Sequence, residues 1–162
     1  GQAFGLKPAG MHALNSLRME KGFRHFGDDI AEEDTPYEAG LGFAVKLGKN
    51  GGFIGRDALV EKKAEGVLKR RMVQIKLKDS GPMLYHDEPV YRNGVQVGET
   101  TSAMYGHMLD GSVALVYISN EEGVTLDYLN SGKFEVDVAG ELFEAEVSLK
   151  PMWDPKSERG KA

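Results

Sequence analysis

The stretch Val90-Tyr91-Arg92-Asn93-Gly94-Val95-Gln96-Val97 places an Asn-Gly pair between two short runs of strand-forming residues. Because Asn and Gly tolerate the positive φ angles of a two-residue turn, the stretch predicts a β-hairpin. Further candidate strands lie on both sides of it, at residues 71–77, 113–118, 125–129, 134–138 and 142–149. Short strands at even spacing are typical of a small barrel or sandwich.

The sequence before these strands has a different pattern. Apolar Met11, Leu14 and Leu17 recur at helical spacing, which predicts a helix over residues 9–21. We expect a second helix at 55–64 and an isolated strand at 41–47. These patterns divide the chain into a mixed segment (residues 1–65), an all-β module (66–150) and a polar tail (151–162).

Composition excludes several classes of protein. The 162 residues contain 41% hydrophobic and 28% charged residues, which is typical of a globular protein with a buried core. With no cysteine, the chain has no disulfide, thiolate nucleophile or zinc ribbon, and its four histidines show no metal-ligand spacing. A net charge of −5 argues against a nucleic-acid partner, and no apolar run is long enough to cross a membrane. Since no targeting segment is evident, we expect a cytoplasmic protein. Because the histidines show no metal-ligand spacing, we also expect no bound metal.

Arg18 is the most unusual charged residue of the first helix. At about 100° per residue, it falls between Met11 and Leu14, inside the apolar stripe. A guanidinium in that position requires a partner, and two alternatives are open. One is a salt bridge to Glu38 or Asp29, and the other is the carboxylate of a ligand.

Aromatic and basic residues follow the first helix closely. Phe23, Phe26 and Phe43 provide flat apolar surface, and Lys21 and Arg24 add positive charge beside Arg18. Although such phenylalanines are more often part of a core, together they could form a slot for a planar aromatic ligand with an anionic end.

Four blocks of sequence resemble one known family. These are residues 15–24 (NSLRMEKGFR), 35–43 (TPYEAGLGF), 53–56 (FIGR) and 100–107 (TTSAMYGH). Their order resembles the C-terminal part of the glycine-cleavage T-protein (aminomethyltransferase) superfamily. Within that superfamily they most resemble the folate-binding half of dimethylglycine and sarcosine dehydrogenases. The resemblance covers residues 10–153.

This resemblance implies an α+β fold, in which the C-terminal segment of a folate-binding aminomethyltransferase-type domain precedes a small antiparallel β-barrel. It implies that tetrahydrofolate captures a one-carbon unit from an N-methyl or aminomethyl donor and gives 5,10-methylenetetrahydrofolate. The family's catalytic aspartate and, in the dehydrogenases, the FAD domain belong to an upstream region. We therefore expect this chain to contain no catalytic residue.

The same resemblance implies that the chain is the last part of a larger enzyme, either as a natural subunit or as a truncated product. Its expected partners are folate and the upstream catalytic region. The isolated chain is expected to be inactive. It is also expected to self-associate through the apolar surface that the upstream region would cover.

Residue by residue, the resemblance suggests which side chains contact the folate. The counterpart of Arg18 contacts folate, and the aromatic residue eight positions later lines its channel. Because the family often has tyrosine where this chain has Phe26, a hydroxyl contact is lost there but stacking is retained. The tail is expected to fold back toward the folate site. The candidate folate-binding residues are Arg18, Phe26, Phe43, Tyr105, His107, Trp153 and Arg159.

Two other functions share this architecture. One is a folate-dependent demethylase acting on a sulfonium substrate, and the other is a folate-binding assembly module without catalysis. The chain contains no donor-site residues that would choose between them, so both remain alternatives to the one-carbon transfer enzyme.

Overall fold

The computed structural model describes residues 1–161, and its main feature is a closed barrel of six strands. Every neighbouring pair is antiparallel, in the order β1-β4-β3-β2-β5-β6. The strands are β1 (Arg70–Leu77), β2 (Pro89–Arg92), β3 (Val95–Gly106), β4 (Gly111–Ser119), β5 (Phe134–Val138) and β6 (Glu141–Ser148). The predicted α+β fold with a small antiparallel barrel is confirmed.

Tight turns join two pairs of strands, the first of them at the Asn-Gly pair where the sequence predicts a hairpin. Asn93 and Gly94 connect β2 to β3 with φ angles of 50° and 80°. Ala139 and Gly140 connect β5 to β6 with φ angles of 54° and 88°. Positive φ at both central residues is the geometry that matches the twist of the paired strands, so these turns fix the register of two hairpins.

The barrel has an inner core and a second apolar layer outside it. Along β1, alternate residues face opposite sides, so Val73 and Ile75 join the interior core. Met72 belongs to the outer layer, which packs the barrel against the first helix. The buried members of this outer layer are Met19, Met72, Leu115 and Tyr117.

Three α-helices lie within the described residues, and none is long and apolar enough to span a membrane. They are α1 (Met11–Glu20), α2 (Arg56–Ala64) and α3 (Leu126–Asn130). The first two agree with the predicted helices. However, Met11, Leu14 and Leu17 are more than half exposed, and α1 instead buries Ser16, Met19 and Glu20 against the barrel. The apolar spacing therefore predicted the helix but not the face that packs on the barrel.

Two predicted strands are wrong. Residues 41–47 contain a short 3-10 helix, Gly42–Ala44, in which the amide of Ala44 donates to the carbonyl of Leu41 at 3.0 Å. The closed barrel also offers no free edge with which this segment could pair. Residue 125 is instead the N-cap of α3, and residues 126–129 belong to that helix. There the hydroxyl of Thr125 accepts a hydrogen bond from the amide of Tyr128 at 3.1 Å, and this N-cap overrides the strand preference of the segment.

Replacing the Thr125 cap with alanine tests this local explanation. We expect Thr125→Ala to lower the free energy of unfolding by about 1 kcal/mol, the usual cost of a lost N-cap. Thr125→Ser, which retains the hydroxyl, is the control and should leave stability nearly unchanged. Urea denaturation measures both, and equal losses in the two variants would contradict the capping role.

Candidate functional site

A cavity of about 490 Å³ lies between the loops that follow α1 and the tail of the chain. The exposed rings of Phe23 and Phe43 form part of its apolar wall, and Pro151 and Pro155 contribute the tail side. Cavities of this size with a few polar groups are typical of small-molecule sites. The cavity therefore has the dimensions and aromatic surface that a planar ligand requires.

Arg24 supplies positive charge to this cavity. Its Nε donates to the carbonyl of Ala39 at 3.0 Å, and its Nη1 donates to the carbonyl of Gly22. Among residues 1–161 it forms no ion pair. Burial lowers the pKa of Arg24, and Tyr117 and Asp29 offset this only in part. Since a partly buried cation without a counter-ion is costly, an anion bound beside Arg24 would compensate its charge.

Gly40 makes room for this guanidinium. Its φ of 70° lies in the left-handed region that favours glycine, and a Cβ built at this position would lie 2.7 Å from the Nη2 of Arg24. A larger residue at position 40 would therefore strain the loop and displace the arginine from the cavity wall.

Arg18 is bound by a carboxylate of the chain itself. Its Nη1 lies 2.6 Å from Oδ2 of Asp29, and the two side chains are 13% and 0% exposed. Arg18 also donates to the hydroxyl of Ser102 at 3.0 Å, while Asp29 accepts from the amide of His25 and the hydroxyl of Thr101. Of the two partners considered for Arg18, the structure contains the salt bridge to Asp29. A contact of Arg18 with a ligand stays a prediction.

The tail folds back against the end of α1. The ammonium of Lys21 lies 5.4 Å from the ring centroid of Trp153, and the guanidinium of Arg159 lies 5.6 Å from it. Lys21 also donates to the carbonyl of Asp154 at 2.6 Å. Burial would raise the pKa of Asp154, but hydrogen bonds from the amide of Glu158 and from Lys21 outweigh it and lower the pKa. Trp153 thus lies beside Lys21, which lines the cavity, and Arg159 lies beside Trp153.

The remaining predicted residues lie apart from this group. Phe26 is 72% exposed in the loop after α1. The Tyr105 hydroxyl donates to Asp110 at 2.6 Å, which raises the pKa of Tyr105, and its ring packs edge-on against His107 at 5.3 Å. Of the seven candidate folate-binding residues, only Phe43 is among the described residues that line the cavity. The ligand roles of the others stay predictions.

Two further clefts of about 420 and 380 Å³ lie elsewhere on the molecule. They share Asp28 and Asp87, and the smaller one also contains Glu99. These carboxylates would repel an anionic ligand. Electrostatics therefore favours the cavity around Arg24 over these two clefts.

The structure is a barrel module with a ligand-sized cavity next to the helical segment that precedes it. Residues 70–154 match the family model described as the glycine cleavage T-protein C-terminal barrel domain, and residues 1–49 match the GCVT N-terminal domain. The chain belongs to the glycine cleavage T-protein family. The resemblance seen in the sequence is confirmed.

Three relatives align with nearly the whole chain. A 4-methylaminobutanoate oxidase (formaldehyde-forming) from Paenarthrobacter nicotinovorans is 47% identical over 98% of the chain. The mitochondrial pyruvate dehydrogenase phosphatase regulatory subunit of Mus musculus is 42% identical over 94%. The mitochondrial sarcosine dehydrogenase of Homo sapiens is 39% identical over 99%. In each case the chain spans 18% of the relative's length.

A solved structure also matches this fold. The glycine cleavage system aminomethyltransferase T from Bartonella henselae has 27% sequence identity to the chain and a TM-score of 0.73. The match covers 88% of this chain and 38% of that protein. Both the sequence and the fold therefore relate the chain to a limited part of longer proteins.

Proposed function

We propose that the cavity beside Arg24 binds the folate acceptor of a tetrahydrofolate-dependent one-carbon transfer enzyme that resembles dimethylglycine and sarcosine dehydrogenases. The observation that carries the proposal is the Arg24 guanidinium, which lines the cavity and, within residues 1–161, has only backbone carbonyls as hydrogen-bond partners. Phe23 and Phe43 lie on the same cavity and match the aromatic part of such a ligand.

The chemistry of tetrahydrofolate fits these residues. Its pterin and aminobenzoyl rings can stack on the exposed faces of Phe23 and Phe43. Its glutamate carboxylates can accept charge-assisted hydrogen bonds from Arg24, and Lys21 adds a second cation at the cavity wall. A chain with a net charge of −5 needs such local cations to bind an anion.

When bound, tetrahydrofolate accepts the one-carbon unit. The residues of this chain hold the acceptor in place and exclude water from it, so their contribution is positioning. We assign the proton transfers and any FAD chemistry to another part of the longer protein. The formaldehyde-forming oxidase named among the relatives supports a one-carbon product from an N-methyl donor.

The proposal also assigns the parts of the chain. Residues 1–65 are the C-terminal segment of the folate-binding domain, residues 66–150 are the barrel domain, and residues 151–162 are the tail. We assign the exposed Met11, Leu14 and Leu17 of α1 to contact with the upstream catalytic region, and in its absence to self-association.

A second candidate function is a folate-binding module without catalysis. The relative from Mus musculus supports it, because that protein is named as a regulatory subunit. Both candidates require folate binding at the cavity. They differ only in whether the longer protein turns over an N-methyl donor.

Nuclear magnetic resonance titration of the chain with 5-formyltetrahydrofolate tests the proposal. We expect shifts at Phe23, Phe43 and the Trp153 indole, with a dissociation constant of about 1 mM because the chain provides only part of the site. Pteroate, which retains the rings but lacks the glutamate, is the control and should bind more weakly. Shifts confined to the clefts around Asp28 and Asp87, or no shifts at all, would exclude the site.

A further inference from the structure

The segment after β6, residues 149–157, forms one wall of the cavity, and we refer to it as the tail strap. It contains neither helix nor strand. Leu149, Pro151 and Pro155 line the cavity together with Phe23 and Arg24. Because the tail strap has no strand partner, side-chain contacts must hold it in place, and its position determines the width of the cavity.

The side chain of Gln74 makes one of these contacts. It lies on β1 and is 3% exposed. Its Nε2 donates to the carbonyl of Met19, with a longer contact of 3.4 Å to the carbonyl of Glu20. Its Oε1 accepts from the amide of Met152 at 2.6 Å. One side chain thus connects the end of α1 to the tail strap.

Packing alone does not explain a glutamine, rather than an apolar residue, at position 74. The outer layer around this face of the barrel is apolar and includes Met19 and Met72. Burying an amide there is unfavourable unless its polar atoms are satisfied, and Gln74 satisfies them with backbone groups. A leucine of similar size would fill the space but would leave the Met152 amide without this acceptor. The glutamine therefore provides a specific connection rather than packing alone.

The side chain of Lys21 makes a second contact with the tail strap. Its ammonium donates to the carbonyl of Asp154 at 2.6 Å and to the hydroxyl of Ser157 at 3.1 Å. Lys21 directly follows α1, whose last carbonyls bind Gln74. The tail strap is thus joined at two points to the same helix end, immediately before Phe23 and Arg24.

We propose that Gln74 is a positioning residue that sets the distance between the tail strap and the end of α1, and thereby the width of the cavity. The identity of the ligand in this inference rests on the proposed function, but the position of the tail strap does not. Gln74 lines no part of the cavity itself. Its effect on a ligand is therefore indirect and acts through Met152 and its neighbours.

Hydrogen exchange and fluorescence test the inference without any ligand. In the wild-type chain the amide of Met152 should exchange slowly. In Gln74→Leu we expect it to exchange roughly five- to tenfold faster, which corresponds to one lost hydrogen bond. Trp153, the only tryptophan, should also become more accessible to acrylamide quenching. The control is Val90→Ala on β2, across the barrel from β1, which should lower the thermal midpoint without changing either readout.

Measurements of folate binding then test whether the position of the tail strap affects the cavity. Gln74→Leu should weaken binding of 5-formyltetrahydrofolate about fivefold, and Val90→Ala should not. Unchanged Trp153 quenching in Gln74→Leu would overturn the inference. If that variant does not fold, an unprotected Met152 amide in the wild-type chain overturns it, and a protected one supports it. If the wild-type chain binds no folate while both tail-strap readouts respond to Gln74, the proposed function fails and the positioning role stands.

Discussion

Asp29→Ala is expected to lower the free energy of unfolding by about 3–5 kcal/mol, the usual cost of breaking a buried ion pair by removing one partner. Asp29 is fully buried, and its carboxylate binds the guanidinium of Arg18 at 2.6 Å. The alanine variant would leave this guanidinium, which is only 13% exposed, without its counter-ion. It would also leave the amide of His25 without its acceptor, and the hydroxyl of Thr101 would lose one of its two acceptors.

The neighbouring aspartate is the matched control for this substitution. Asp28 differs in being 55% exposed, and it pairs only with the imidazole of His25 on the surface. Exposed pairs contribute little, so Asp28→Ala should cost less than about 1 kcal/mol. Urea denaturation of both variants measures the difference. Similar losses would show that Asp29 is not the anchor between α1 and the barrel that its contacts indicate.

The fold was largely predictable because its signals are local. Asn93-Gly94 has the positive φ angles that the hairpin turn requires, and the alternation of residues 71–77 follows the period of a strand. The strand predicted at 125–129 failed because the Thr125 cap, another local signal, outweighs strand preference in a short segment. Local chemistry thus explains the hairpin, the strand at 71–77 and the error at 125–129.

The cavity was only partly predictable, because tertiary contacts decide which cations have a carboxylate partner. The sequence identified Arg18 as a cation that needs a partner, and it named Asp29 as one candidate, but spacing could not show that the two meet. Arg24 was recognised only as a nearby cation and was not among the candidate site residues. Its distinguishing property is the lack of a carboxylate partner among the described residues, which depends on the whole surrounding structure.

Arg24→Met is expected to weaken binding of 5-formyltetrahydrofolate about tenfold or more, the scale of a lost hydrogen bond to a charged group. Methionine retains most of the length and apolar contact of the arginine stem but removes the charge. Stability should change by no more than about 1–2 kcal/mol, because the variant loses backbone contacts but also no longer buries an unpaired cation. Titration by nuclear magnetic resonance measures the affinity, and urea denaturation measures the stability.

The matched control removes one positive charge elsewhere. Arg56 also donates to a backbone carbonyl, that of Leu47, but it pairs with Asp57 at the start of α2 and does not line the cavity. Arg56→Met should therefore leave folate binding unchanged, apart from a small loss that high salt would abolish. Equal weakening by the two variants would mean that net charge, and not a specific contact, attracts the ligand. A loss seen only with Arg24→Met and retained at high salt would instead place the glutamate carboxylate at Arg24, since a desolvated contact is screened far less than a surface charge.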